Sequence, residues 1–203
     1  MSEPHGFSTV ARLTPQRSSP AEAPAQERLA LTEVRNRALV QVAGHLSIYD
    51  GMALPQQPNT CIARGTTLAA WLAPRRWLLV GPRTLAGRWL SHDAPGTTVV
   101  DLSHGRAIVR ISGDWRAVLS RHCPLDLDTA FPPNRLSCAQ SLFGDIPVLI
   151  IASPGRHWVE LFAPRSYGLS FREVLADSLH DLGGTILPPT ASPDIQWNYA
   201  LDD

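Results

Sequence analysis

Between residues 38 and 182 the chain alternates between two hydrophobic rhythms. Ala38 to Val42, Thr67 to Leu72 and Trp77 to Val80 read as short strands, the last closed by Gly81-Pro82. Thr84 to Ser91 fits a helical turn or two ending before Pro95. Thr97 to Leu102 and Ala107 to Ile111 are two strands, and Ser103-His104-Gly105-Arg106 between them predicts a hairpin. Asp114, placed after Gly113, is a helix N-cap; Trp115, Val118, Leu119 and His122 then recur at helical spacing until Pro124. Beyond the Phe131-Pro132-Pro133 loop, Cys138 to Phe143 is a strand, and Val148 to Ala152 and Trp158 to Phe162 form a hairpin about Pro154-Gly155. Ser166 is expected to cap a last helix with Leu169, Val174, Leu175 and Leu179 facing inward, ended by Gly183-Gly184. The economical arrangement is α+β: antiparallel sheet with helices packed on one face.

The ends read differently. Residues 1–35 hold Pro4, Pro15, Pro20 and Pro24 among small and polar residues, too little apolar surface to offset the entropy of ordering. They are expected to form an arm, with a short helix over Glu27 to Arg37. Residues 36–186 form the single folded domain. Residues 187–203 are a proline-rich connector followed by an alternation of Ile195, Trp197, Tyr199 and Leu201; Trp197 and Tyr199 are candidate anchors at an interface.

Composition narrows the function. The 18 basic residues balance 18 acidic ones, which argues against a nucleic-acid or anionic-membrane partner. Every basic residue is arginine, so Schiff-base and phosphate-loop lysine chemistry is excluded. The apolar run Ile146 to Ala152 is far too short to span a membrane, and the N-terminus carries no apolar signal core. Three cysteines (Cys61, Cys123 and Cys138) read as reduced thiols in a cytoplasm.

Candidate chemistry is sparse. His122 and Cys123 are neighbours, yet successive helical side chains diverge by about 100°, so they cannot act as base and nucleophile to each other. Cys123 and Cys138 are expected as small buried hydrophobes. The histidines at 5, 45, 92, 104, 122, 157 and 180 show no His-x-x-x-His pair, and no Cys-x-x-Cys occurs. No dinucleotide or phosphate-loop pattern is present. Asp126 and Asp128 are paired carboxylates in a loop, with Asp126 expected to accept backbone donors in the turn after Pro124. Arg106 and Arg110 share one face of a strand, either solvated or gripping a partner's carboxylates.

The order of several blocks carries a resemblance. These are Trp71-Leu72-Ala73-Pro74-Arg75-Arg76-Trp77-Leu78-Leu79, Leu119-Ser-Arg-His-Cys-Pro-Leu-Asp-Leu127, Phe131-Pro132, Cys138-Ala-Gln-Ser-Leu-Phe143 ahead of Ile146 to Ile150, and Arg165-Ser166-Tyr167. Over roughly residues 38 to 182 they resemble the gamma subunit of heterotetrameric sarcosine oxidase, departing around Pro74, where that family more often has glycine before and acidic residues after. The resemblance implies a fold akin to the folate-binding domain of glycine-cleavage aminomethyltransferases. It also implies a complex with alpha, beta and delta subunits that oxidises sarcosine or another N-methyl amino acid, forms hydrogen peroxide and passes the methyl carbon to tetrahydrofolate. FAD, FMN, NAD, tetrahydrofolate and zinc would belong to those partners, and this chain would hold no cofactor and no active site. Arg106, Arg110, Asp126, Trp197 and Tyr199 are then the candidate interface residues. The alternatives are a stand-alone folate-binding or aminomethyltransferase-like protein and a thiol enzyme built on Cys123.

Overall fold

The computed structural model describes residues 28–153, 155 and 157–190. In chain order the strands and helices are β1 (Ala30–Val34), β2 (Arg37–Ala43), β3 (Ile48–Tyr49), β4 (Met52–Ala53), β5 (Cys61–Arg64), β6 (Thr67–Ala73), β7 (Arg76–Pro82), α1 (Ala86–Leu90), β8 (Thr98–Asp101) and β9 (Arg106–Ser112). There follow α2 (Trp115–Leu119), α3 (Leu127–Ala130), β10 (Ser137–Phe143), β11 (Ile146–Ala152), β12 (Trp158–Pro164), α4 (Gly168–Asp181) and β13 (Thr185–Thr190). Two sheets dominate, one ordered β10-β11-β12-β9-β1-β13 and the other β5-β6-β7-β2-β8. Pairing is antiparallel within both, apart from the parallel contact of β1 with β13.

The sheets lie face to face, which explains why several strands are apolar on both sides rather than alternating. Along β11, Val148 and Ile150 enter a core shared with α2, α3 and α4, while Leu149 and Ile151 enter a core between the sheets. Along β7, Leu78 and Val80 meet that same inter-sheet core, while Trp77 and Leu79 point outward to α1 and the β3–β4 hairpin. The outermost layer is tied by two polar tips: the Tyr49 hydroxyl donates to the Trp89 carbonyl at 2.5 Å, and the Trp77 indole N–H donates to the Pro55 carbonyl at 2.7 Å. The fold is α+β, with helices on the outer faces of both sheets rather than on one face of an open sheet. Among the described residues no helix is long and apolar enough to cross a membrane.

Four expectations are corrected. Glu27 to Arg37 forms no helix: Ala30–Val34 is strand β1, hydrogen-bonded to β9 on one side and β13 on the other. Five residues are too few to display a period, and it is Leu31 and Val34, buried in different cores, that hold it there. The folded domain thus takes in part of the expected arm. It also takes in Leu187–Thr190, because Pro188 and Pro189 are tolerated in β13 at the edge of the sheet.

Ser103 to Gly105 makes a crossover between sheets and no hairpin. β8 pairs with β2, while β9 pairs with β1 and β12. The Ser103 hydroxyl accepts from the Leu39 N–H at 3.0 Å, which holds the crossover against β2. Lastly, α4 starts at Gly168 after a 3-10 turn at Arg165–Tyr167, with no side-chain cap from Ser166. Phe171, Leu175 and Leu179 face the core, but Leu169 is 69% exposed and Val174 lies on the surface. Asp114 does cap α2, accepting from the Ala117 N–H at 3.3 Å.

One cluster inside the inter-sheet layer is charged. Glu160 of β12 is fully buried and lies directly opposite Arg110 of β9; Arg110 Nη2 donates to Glu160 Oε1 at 2.7 Å, and Arg37 Nη2 of β2 is 3.6 Å from the same oxygen. The Arg110 guanidinium also stacks over Trp158, 4.1 Å from the ring centroid. Burial pulls the Arg37 pKa below its ordinary value and Glu160 opposes that pull. One carboxylate therefore compensates two guanidiniums, one from each sheet.

Removing that carboxylate takes a shared counter-charge away from two guanidiniums in the inter-sheet layer. Glu160→Gln is expected to cost about 3–5 kcal/mol, a fall of roughly 10 °C in melting temperature for a domain of this size. Adding Arg110→Met should recover part of the loss, because the guanidinium closest to Glu160 is removed with it. Thermal denaturation of the three proteins at one pH and ionic strength measures both effects.

Candidate functional site: an arginine-lined cleft

The residues singled out from the sequence do not converge. Asp126 is the N-cap of α3, accepting from the N–H groups of Asp128 and Thr129 at 3.1 and 3.3 Å and from the Thr129 hydroxyl at 2.6 Å. The Thr129 hydroxyl, ahead of the backbone donors, holds its carboxyl below the usual aspartate range. Asp128 points elsewhere, 3.1 Å from Arg116. The pair makes a turn and an ion pair, with no shared proton site between them.

His122 and Cys123 diverge as helical geometry requires. The His122 Nε2 is 2.7 Å from the Ser178 hydroxyl and its ring packs 4.7 Å from Phe143. Burial, and then the charge of Arg121, lower its pKa, so the neutral imidazole is favoured. Cys123 is buried with its thiol 3.5 Å from the Ser141 hydroxyl. Cys138 is buried against the carbonyls of Thr60 and Trp71, and beside it burial pushes the Cys61 thiol well up. That burial disfavours a Cys61 thiolate. Among the described residues no three His, Cys, Asp or Glu side chains gather to hold a metal ion. His5, Trp197 and Tyr199 lie outside the described residues.

Arg106 and Arg110 project from the same face of β9 to different ends. Arg110 is occupied inside its own chain by Glu160 and Trp158, with its side chain only 19% exposed, so it is not available to grip a partner's carboxylate. Arg106 instead opens onto a cleft of about 770 Å³. The cleft lies where β1 passes into β2 and β8 passes into β9, and it is closed by the start of α4 and by β13.

Six arginines (Arg35, Arg37, Arg83, Arg106, Arg165 and Arg172) and one acidic residue, Glu33, are among its lining residues. Glu33 pairs with Arg35 at 2.9 Å. That hydrogen bond, and then the charges of Arg35, Arg172 and Arg165, lower its pKa against the opposing effect of burial. Arg83 is 3.8 Å from Asp101 and 3.0 Å from His104 Nε2. Arg106, Arg165 and Arg172 have no ion pair among the described residues. Leu31, Val34, Ile108, Leu169, Ile186 and Leu187 supply apolar wall between the charges.

An arginine fork binds oxyanions but does not release its proton in the working pH range, so these arginines equip the cleft for recognition. Sequence spacing found only Arg106 of this set. The other five arginines come from three separate stretches, 35–37, 83 and 165–172, and no local pattern links the three. The one signal was global: an all-arginine basic complement.

No protein-family model and no curated protein sequence matches the chain. Solved structures do share the fold. A chain of the heterotetrameric sarcosine oxidase from Corynebacterium sp. U-96, solved with pyrrole 2-carboxylate, superposes with a TM-score of 0.66 at 19% identity, covering 80% of this chain and 89% of that one. The glycine cleavage system aminomethyltransferase T from Bartonella henselae superposes with a TM-score of 0.53 at 18% identity, covering 80% of this chain and 48% of that one. At these identities what is shared is the fold, and the fold is that of the sarcosine oxidase and aminomethyltransferase structures.

Proposed function

We propose that this chain is the gamma-type accessory subunit of a multi-subunit flavoprotein oxidase related to sarcosine oxidase. In this reading it supports the assembly that demethylates sarcosine or another N-methyl amino acid and passes the methyl carbon to tetrahydrofolate. It works in the cytoplasm beside alpha, beta and delta subunits, which hold FAD, FMN, NAD, folate and zinc. The observation that carries this reading is the extent of the likeness: the shared fold takes in 89% of a chain from a heterotetrameric oxidase but about half of an aminomethyltransferase chain. The surface agrees with it. Leu169 is 69% exposed and Ile186 and Leu187 are 45% and 44% exposed, all lining one cleft. Apolar side chains exposed around one cleft suit a protein that meets a partner there. The aminomethyltransferase likeness supports the rival reading, a stand-alone folate-binding or one-carbon protein.

Co-expression with the large flavin-and-folate subunit, the FAD subunit and the zinc-binding subunit separates the two. The accessory reading expects one complex on gel filtration, with sarcosine or another N-methyl amino acid reducing its flavin anaerobically. The isolated chain should neither reduce a flavin nor form methylenetetrahydrofolate. Folate-dependent one-carbon transfer by the isolated chain would overturn it.

Within that complex, Leu169→Asp with Ile186→Asp is expected to lower the yield of assembled oxidase several-fold. The melting temperature of the free subunit should move by no more than about 2 °C, since exposed side chains contribute little to the fold. The rate of flavin reduction per assembled flavin should stay within a few-fold of wild type.

A further inference from the structure

The arginines of the cleft pose a question that an accessory role does not answer. The chain as a whole is neutral, yet six of its eighteen arginines line one cavity; Glu33, Glu160 and Asp101 pair with Arg35, Arg37 and Arg83, whereas Arg106, Arg165 and Arg172 form no ion pair among the described residues. Like charges gathered in a half-enclosed space repel one another and are screened less than on an open surface, so the grouping is unfavourable unless an anion offsets it. Glu33 cannot do so alone, because its carboxylate is held in a two-bond fork by Arg35. Arg106, Arg165 and Arg172 keep their donors for something else. The α4 helix continues from the Arg165–Tyr167 turn, the Gly168 N–H donating to the Arg165 carbonyl, and Gly168 and Leu169 line the cavity.

We propose that this cleft is a binding site for a polyvalent oxyanion, a small molecule carrying two or more carboxylate or phosphate groups next to an apolar portion. The guanidinium forks match carboxylate and phosphate oxygens pairwise. The volume of about 770 Å³ lies in the range of small-molecule sites. Leu169, Ile186 and Leu187 give the ligand's apolar portion a wall, which a free inorganic anion would leave wet. Arg37 sits at the buried end, so an anion there would also meet the charge cluster between the sheets. The inference does not rest on the accessory-subunit reading; the same site would serve a stand-alone protein.

The test is calorimetric titration and thermal denaturation of the full chain at low ionic strength. The probes are citrate, pyrophosphate and a hexaglutamate peptide, with acetate and sodium chloride at matched ionic strength as controls. At least one polyvalent probe should bind one to one and raise the melting temperature saturably, while acetate and chloride do not. Binding of citrate or pyrophosphate would assign the site to a free small anion. Tighter binding of hexaglutamate would assign the carboxylates to a peptide, against the small-molecule form of the proposal. Arg165→Gln with Arg172→Gln should weaken binding at least about tenfold. Both side chains are exposed, so the unliganded melting temperature should hold; Arg106→Gln is the second, independent variant. Arg64→Gln with Arg88→Gln, outside the cleft, should bind as wild type. A stabilisation that follows ionic strength alone, or equal binding by the cleft and control variants, would overturn the site.

Discussion

The structure depends on one constraint: two sheets are pressed face to face, and a single chain must pass between them without leaving polar backbone buried. It does so first at Arg35-Asn36, where Asn36 takes a left-handed conformation (φ 58°) and its carbonyl accepts from the Arg83 N–H at 3.2 Å. It does so again at Leu102 to Gly105, where the Leu102 N–H bonds the Leu39 carbonyl at 2.7 Å and the Gly105 N–H bonds the Leu102 carbonyl at 2.9 Å. Both passages border the same cleft. The cleft is therefore a by-product of the topology, the gap left where strands change sheets, and the sequence lines that gap with arginine instead of filling it with apolar side chains.

The Arg37–Glu160–Arg110 cluster belongs to the same constraint. Arg37 opens β2 just after the first passage, and Arg110 and Glu160 face it from the opposite sheet. Buried ion pairs rarely add net stability over a well-packed apolar core. What this one does is link the two sheets by charge, with the Glu160 carboxylate hydrogen-bonded to Arg110 of its own sheet and 3.6 Å from Arg37 of the other. Arg37 carries that link into the wall of the cleft.

Much of the fold was legible in the sequence, for reasons that also explain the failures. β7, β11 and β12 are long, largely apolar strands, and β6 and α2 carry their own boundaries, Ala73-Pro74 for one and Asp114 for the other. β1 and β13 are short, and one contains two prolines; their strand character comes from pairing with each other across the length of the chain. The false hairpin at Ser103 to Arg106 arose because turn residues signal a reversal of direction, not the sheet in which the next strand will lie. Leu169 was assigned to the core from its spacing alone, yet α4 turns it toward the cleft. The burial of the cysteines and the capping role of Asp126 were readable because both are local. The cleft was not, since its arginines share nothing but a place.

The parallel pairing of β1 with β13 has a further consequence for how the protein is made. Ala30 meets Thr185 and Leu31 meets Ile186, so the first strand of the domain waits for the last. On a ribosome, every other strand of the six-stranded sheet emerges before β13 does, and until then β1 offers an open edge to any extended neighbour. Closing that edge is a contact of very high sequence separation, the kind that slows folding. β13, the last strand to emerge, completes both the sheet and one wall of the cleft, so a nascent chain cannot present a finished site before residue 190 has cleared the exit tunnel.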